Sequence, residues 1–361
     1  DISTTGGVVS GFTGSGTTYS FIFTPTSSST APMSIQVLAG VFSDAVGNLN
    51  IASTAMTATV DTVIPVISSV SSSTANGAYR AGLAIDIAVT FSKNVVVTTS
   101  AGSPTLLLET GSTDRLASYV GGTGTSVVTF RYVVQAGDVS NDLDAQSTSA
   151  LVLNGGFIKD LSGNDAVLTL ASPGASNSLG LAKAIVIDTV APTAPTNVVV
   201  TPVGGTVVAN TLLANNTNMT VAASIAAGQA IGGSAELLLG STTIATDTSI
   251  AAGDSSLSFN LNFSTSADLQ AAIAAGGQLT VRLLDAAGNA SLASSAVSLT
   301  VDYAKPIATL SSSRSAMKIG ETATISVQLS EPSSTFILTD VTMTGGSLGT
   351  FVAVSSTQYT F

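Results

Sequence analysis

Along the chain, short apolar runs alternate with polar positions and are separated by clusters of Gly, Ser, Thr, Asn and Asp, a period-two pattern that predicts β-strands. It is clearest at Phe21–Phe23, Met33–Ala39 and Ser53–Val60, then at Ala84–Phe91, Thr105–Leu108, Val127–Val134, Val167–Leu170 and Ala184–Ile187. It returns at Asn197–Val203, Met219–Ile225, Ala235–Leu239, Leu257–Phe263, Gln278–Leu284 and Ala296–Val301, and again at 320–329 and 335–342. One stretch breaks the pattern: Ala267–Ala275, with Asp268 near its start and Gly276-Gly277 at its end, predicts one or two helical turns.

A second, longer repeat is laid over the strands. Asp-x-x-Gly-Asn occurs as Asp44 to Asn48, Asp160 to Asn164 and Asp285 to Asn289, and each copy leads through an apolar segment to a joint at Asp61, Asp188 or Asp302 with Pro65, Pro192 or Pro306 shortly after. Asp and Asn side chains bond nearby backbone and Gly accepts positive φ, so the first part predicts a turn. Pro has no N–H to give a ladder, so the second part predicts a strand end. Turn Asp and joint Asp lie 17 residues apart in the first and third copies and 28 apart in the second. The equal pair points to one design and the longer one to an insertion.

The repeat divides the chain into 1–61, 62–190, 191–303 and 304–361. Residues 62–190 and 191–303 each hold enough strands for a sandwich, with extra length around 137–154 in the first. Residues 1–61 hold too few. Asp340 to Phe361 matches Asp1 to Phe21 with a one-residue gap, through Gly345-Gly346 and Gly6-Gly7, Phe351 and Phe12, Tyr359 and Tyr19. Residues 304–361 therefore read as the front of the kind of domain whose back is 1–61; with 22–61 they make roughly the 100 residues of an Ig-type sandwich. The expectation is a window cut through a longer repetitive polypeptide, with 304–361 of one copy packing against 22–61 of the next.

Composition narrows the function. Charged residues are only 9% of the chain, the net charge is −11, and there is no Cys or His. Few scattered basic residues against an acidic total argue against nucleic acid or an anionic membrane as partner. No apolar run approaches the roughly 18 residues of a membrane span. Without His or Cys, Ser-His-Asp and Cys-His nucleophiles and ordinary zinc sites are excluded by residue type. A carboxylate pair for glycoside hydrolysis needs only Asp and Glu, but nothing places one in a cleft and no Trp is present to stack on a sugar.

In the Asp-x-x-Gly-Asn turn, the Asp-Thr-x-x-Pro joint and Ser330-Glu331-Pro332, the chain resembles the tandem bacterial immunoglobulin-like (Big-type) domains of giant surface proteins and adhesins. The resemblance implies an all-β fold of tandem Ig-like β-sandwich domains in an elongated array. It also implies an extracellular place at the bacterial cell surface, and joints stiffened by calcium in many relatives. In a seven-stranded sandwich each turn should meet the joint before its own domain. Asp160 and Asn164 would then approach Asp61, Asp285 and Asn289 would approach Asp188, and Glu331 would approach Asp302, a set of oxygens suited to Ca2+. Where Glu331 stands in the last unit, the second has Lys93, which would repel the ion or replace it with a salt bridge, and the third has Ile225. The alternative is that the motif is only a hydrogen-bonded turn. Asp138, Asp142 and Asp144 form a second acidic group with calcium-like spacing, for which an exposed polar loop is the competing reading.

The resulting expectation is a non-enzymatic structural repeat region forming a filament, sheath, surface layer or adhesin stalk, whose partners are other copies of itself, head to tail and side by side. The alternatives are a ligand-binding adhesin tip using the 137–154 loop and a carboxylate glycoside hydrolase.

Overall fold

The computed structural model describes residues 1–361 apart from 205–210, 214, 215, 217, 263–270, 272, 274, 303 and 304. Strands dominate, and they fall where alternation places them: Thr105–Leu108 and Gln278–Leu284 as expected, Thr196–Val203, Asn218–Ser224, Ser234–Leu239 and Ser256–Asn262 within a residue or two. The turns expected at 267–275 lie largely outside the described residues. At their end Ala275 donates to the Ala271 carbonyl at 2.9 Å, and Gly276 follows at φ +85°.

Among the described residues three apolar cores form. The first runs from Val70 to Ile187 and centres on Ile85, Ile87, Leu106, Phe130 and Tyr132. The second runs from Val200 to Leu299 and the third is a small cluster of Val327, Leu329 and Tyr359. Around the first, Ala84–Thr98 pairs with Ile67–Ser72, Thr125–Val133 and Phe157–Lys159. Around the second, Asn218–Ser224 lies between Thr196–Val203 and Ser256–Asn262, while Ser234–Leu239 and Gln278–Leu284 pair in another sheet. Both regions close in the same way, a short early strand running parallel to the last: Gly77–Tyr79 beside Ile185–Asp188, and Thr211–Leu213 beside Thr300–Asp302. Facing sheets with alternating inward side chains are the sandwich solution to burying one face of each strand.

Residues 1–61 hold a three-stranded sheet, with Met33–Val37 between Ile2–Thr5 and Met56–Ala58, and a separate hairpin of Gly7–Ser15 with Thr18–Pro25. Residues 305–361 hold one four-stranded sheet in the order Ala308–Ser312, Ile325–Leu329, Gln358–Thr360, Val352–Ala353.

Three expectations need correction. Val167–Leu170 is not a strand: Val167 donates to Pro65 and Leu170 to Thr148, so the segment ties the joint to the inserted region instead of joining a ladder. The stretch 335–342 contains a 3-10 turn at Leu338–Asp340, set by the Asp340 carboxylate accepting from the Ile337 N–H at 2.9 Å. The inserted residues 137–154, half of them exposed, are not a free loop but are pinned to the fold. Val139–Ser140 pairs with Asp188 and Ile187, Leu151–Val152 pairs with Leu106 and Thr105, and Leu143, Ala145, Ala150 and Leu151 are buried in the first core.

Candidate functional site

The three Asp-x-x-Gly-Asn turns share one geometry. In each, one carboxylate oxygen of the Asp accepts the N–H groups two and four residues on, and the other accepts the Asn side-chain amide: Asp44 with Val46 and Asn48, Asp160 with Ser162 and Asn164, Asp285 with Ala287 and Asn289. The Gly takes φ of +95°, +90° and +84° in turn.

Where a joint precedes the turn, the same Asn amide reaches it. Asn164 donates to the Asp61 carbonyl at 3.0 Å and Asn289 to the Asp188 carbonyl at 2.8 Å. Turn and joint thus meet as the strand order requires. The Thr after each joint Asp faces the other way. Thr62 donates to the Thr26 carbonyl at 2.6 Å and accepts from Ser29, while Thr189 donates to the Asp138 carbonyl at 2.9 Å and accepts from Gly137. Each Asp-Thr pair therefore binds the following strands through Asp and the preceding ones through Thr. The Asp-Thr-x-x-Pro motif shows this Thr in two joints, but the sequence assigns it no role.

At the first joint a cation is built in. The Lys93 ammonium lies 2.6 Å from Asp61 Oδ2, 2.9 Å from Asp160 Oδ2 and 2.9 Å from the Val63 carbonyl. Asp160 is only 2% exposed, against 24% for Lys93 and 25% for Asp61. Burial alone would raise the Asp160 pKa, but the Asn164 amide and the Lys93 ammonium outweigh it and hold the carboxyl down at about 2. Lys93 likewise draws Asp61 below its ordinary value, and the two carboxylates raise the Lys93 pKa. Calcium does not fit here, because the space between the two acids is filled by an ammonium and an amide, both donors where a metal needs oxygens.

The strand ends behind Lys93 and Glu331 are equivalent. Ser92 and Ser330 each donate a backbone N–H to the residue after the joint proline, Val66 or Ile307, and accept that residue's N–H on the side chain. Lys93 and Glu331 thus stand in the same place with opposite charge. The Asp302 side chain lies outside the described residues. At the 188 joint, one Asp188 carboxylate oxygen accepts from Val190, and Ile225, the residue after Ser224, is apolar.

Asp138, Asp142 and Asp144 do not share a centre. Asp138, 1% exposed, accepts from Arg115 at 2.8 Å, the Tyr132 hydroxyl at 2.7 Å and the Gln135 N–H at 2.9 Å. Burial opposes its ionisation, and these donors overcome that and keep it below the usual carboxylate range. Asp144, also buried, accepts from the N–H groups of Ala145, Gly174 and Leu179. Asp142 is exposed, yet partial desolvation of its carboxyl and the Asp144 charge push its pKa up. No group of three or more acidic side chains is arranged to hold a metal among the described residues.

The clamp carries a pH signature. Asp160 has a folded pKa below its ordinary 3.8, so its contribution to stability is complete above that value and is lost as pH falls through about 2. In Lys93→Met the Asp160 carboxyl should titrate at higher pH, and acid unfolding of this region should begin earlier. A carbon-detected NMR titration reads this directly; an unchanged Asp160 midpoint would show that Lys93 does not hold it.

None of the curated proteins compared with the chain matches it. Residues 302–361, which carry Glu331, the four-stranded sheet and the small third core, match the family model described as bacterial Ig-like domain.

Proposed function

We propose that this chain is a structural, force-bearing segment of a bacterial surface protein. In this reading 62–190 and 191–303 are successive Ig-like units, and 1–61 and 304–361 are parts of two more. The observation that carries it is the repeated joint, the Asn164 amide to the Asp61 carbonyl and the Asn289 amide to the Asp188 carbonyl, which couples each unit to the chain before it in the same way. The bacterial Ig-like match at 302–361 supports a surface role of structural or adhesive kind. No helix among the described residues is long and apolar enough to cross a membrane. Burial of Leu143, Ala145, Ala150 and Leu151 pins 137–154 to the first core, which speaks against a free ligand-binding loop there. Low charge with many exposed apolar side chains favours units packed side by side in a sheath or layer.

The joints differ in how they are held. The first uses an internal ammonium; calcium dependence is proposed only for the third, where Glu331 stands in the place of Lys93. Small-angle scattering tests the array. A single globule of this length has a radius of gyration of about 21 Å, and the array should give a value well above that, insensitive to chelator at the 61 joint. A value near 21 Å would contradict the reading.

A further inference from the structure

The joints at Asp61 and Asp188 bring together the same pair of acids but not the same counter-charge. At the first, the Lys93 ammonium bonds both Asp61 and Asp160. At the second, Asp188 and Asp285 meet through the Asn289 amide, which donates to the carbonyl of one and the carboxylate of the other. Ile225 takes the place of Lys93 there and supplies no charge.

A cation does reach the second joint, from the opposite side. Gly77–Tyr79 runs parallel to Ile185–Asp188 with Tyr79 opposite Ile187. One residue further on, the same register brings Arg80 alongside Asp188. A turn holds the Arg80 backbone: Leu83 donates to its carbonyl at 3.3 Å, and Gly82 donates to the Val134 carbonyl at 2.8 Å. From this turn of the 62–190 region the side chain crosses to the Asp285–Asn289 turn of the next. Its Nε and Cδ lie 3.5 Å and 3.7 Å from where a Cβ on Gly288 would sit. At the equivalent Gly163 nothing comes within 4 Å of that point. The parallel pair that closes the following region puts Leu213 opposite Asp302, so the register repeats there without the cation.

We infer that Arg80 is the positioning residue of the 188 joint, reaching forward from the preceding unit where Lys93 reaches back from the following one. This rests on the reading of the chain as an array of Ig-like units. Domains joined through few contacts move relative to one another by default, and the single bond from Asn289 to the Asp188 carbonyl leaves a pivot. Arg80 adds a second point of contact, a flat side chain against a turn that has no Cβ at 288, and it places a positive charge beside two carboxylates. Arg80 is exposed, so the electrostatic part of its hold weakens as salt screens it. Gly288 thus serves both the left-handed turn and the close approach of Arg80.

The chain has no Cys, so a pair of nitroxide labels can be placed in the full chain at Ser118→Cys and Ser258→Cys, exposed strand positions on either side of the joint. Double electron-electron resonance should give a narrow distance distribution. Arg80→Ala should broaden it roughly twofold, toward the free motion of loosely joined domains, while the melting of both units stays unmoved. High salt should broaden the distribution with Arg80 present and add little in Arg80→Ala. A width unchanged by Arg80→Ala, equal broadening by salt with and without Arg80, or a wide distribution before any change at Arg80 would each overturn its role. The array itself is read separately, by the radius of gyration given above, which none of these outcomes alters.

Discussion

Replacing Asp138 with Ala is expected to destabilise the region around the first core by about 3 kcal/mol, at the lower end of what removing one partner of a buried ion pair costs. The lower end applies because Arg115 is 26% exposed and keeps some water. The loss is still large for one loop residue, because the same carboxylate receives Arg115, the Tyr132 hydroxyl and the Gln135 N–H. Without it the Tyr132 hydroxyl is left in the core with no acceptor. Urea unfolding followed by Tyr132 fluorescence or by amide signals of the Thr125–Val133 strand measures the effect. Asp142→Ala is the internal comparison: that side chain is exposed, and the change should stay within about 0.5 kcal/mol. Equal, small effects at both positions would mean that 137–154 is a solvated loop after all.

Gly163→Val should cost about 1–3 kcal/mol, the range for forcing a non-Gly residue into a left-handed backbone. Gly163 has φ +90°, and nothing lies within 4 Å of where a Cβ would sit, so the loss isolates backbone strain from crowding. The effect should stay local. Melting assigned to the second core, between Val200 and Leu299, should be unmoved, since units in a linear array couple only through their neighbours' interfaces. Loss of both transitions together would contradict independent units.

Much of this was legible in the residues. Alternation located most strands because each sheet buries one face, and the meeting of Asn164 with Asp61 and of Asn289 with Asp188 followed from strand order alone. The Lys93 salt bridge could be foreseen from its place, which is equivalent to that of Glu331 in the last unit. In the inserted segment all three Asp residues read as solvated from the sequence, whereas only Asp142 is exposed. What receives Asp138 and Asp144 is Arg115, Tyr132 and the N–H groups of Gly174 and Leu179, of which all but Tyr132 are distant in sequence. The stretch 335–342 was misread because its alternation is real but has no partner strand, and an apolar pattern alone does not make a ladder. The reciprocal role of Thr62 and Thr189 needed coordinates, since a hydroxyl's direction is not written in its neighbours.

The central claim is that folded units lie in series and carry load one after another. Pulling a single chain from its two ends tests it most directly. At roughly 3.6 Å of contour per residue, unfolding of 62–190 and of 191–303 should appear as two separate events of about 460 Å and about 400 Å. One event that releases both lengths together would contradict the account.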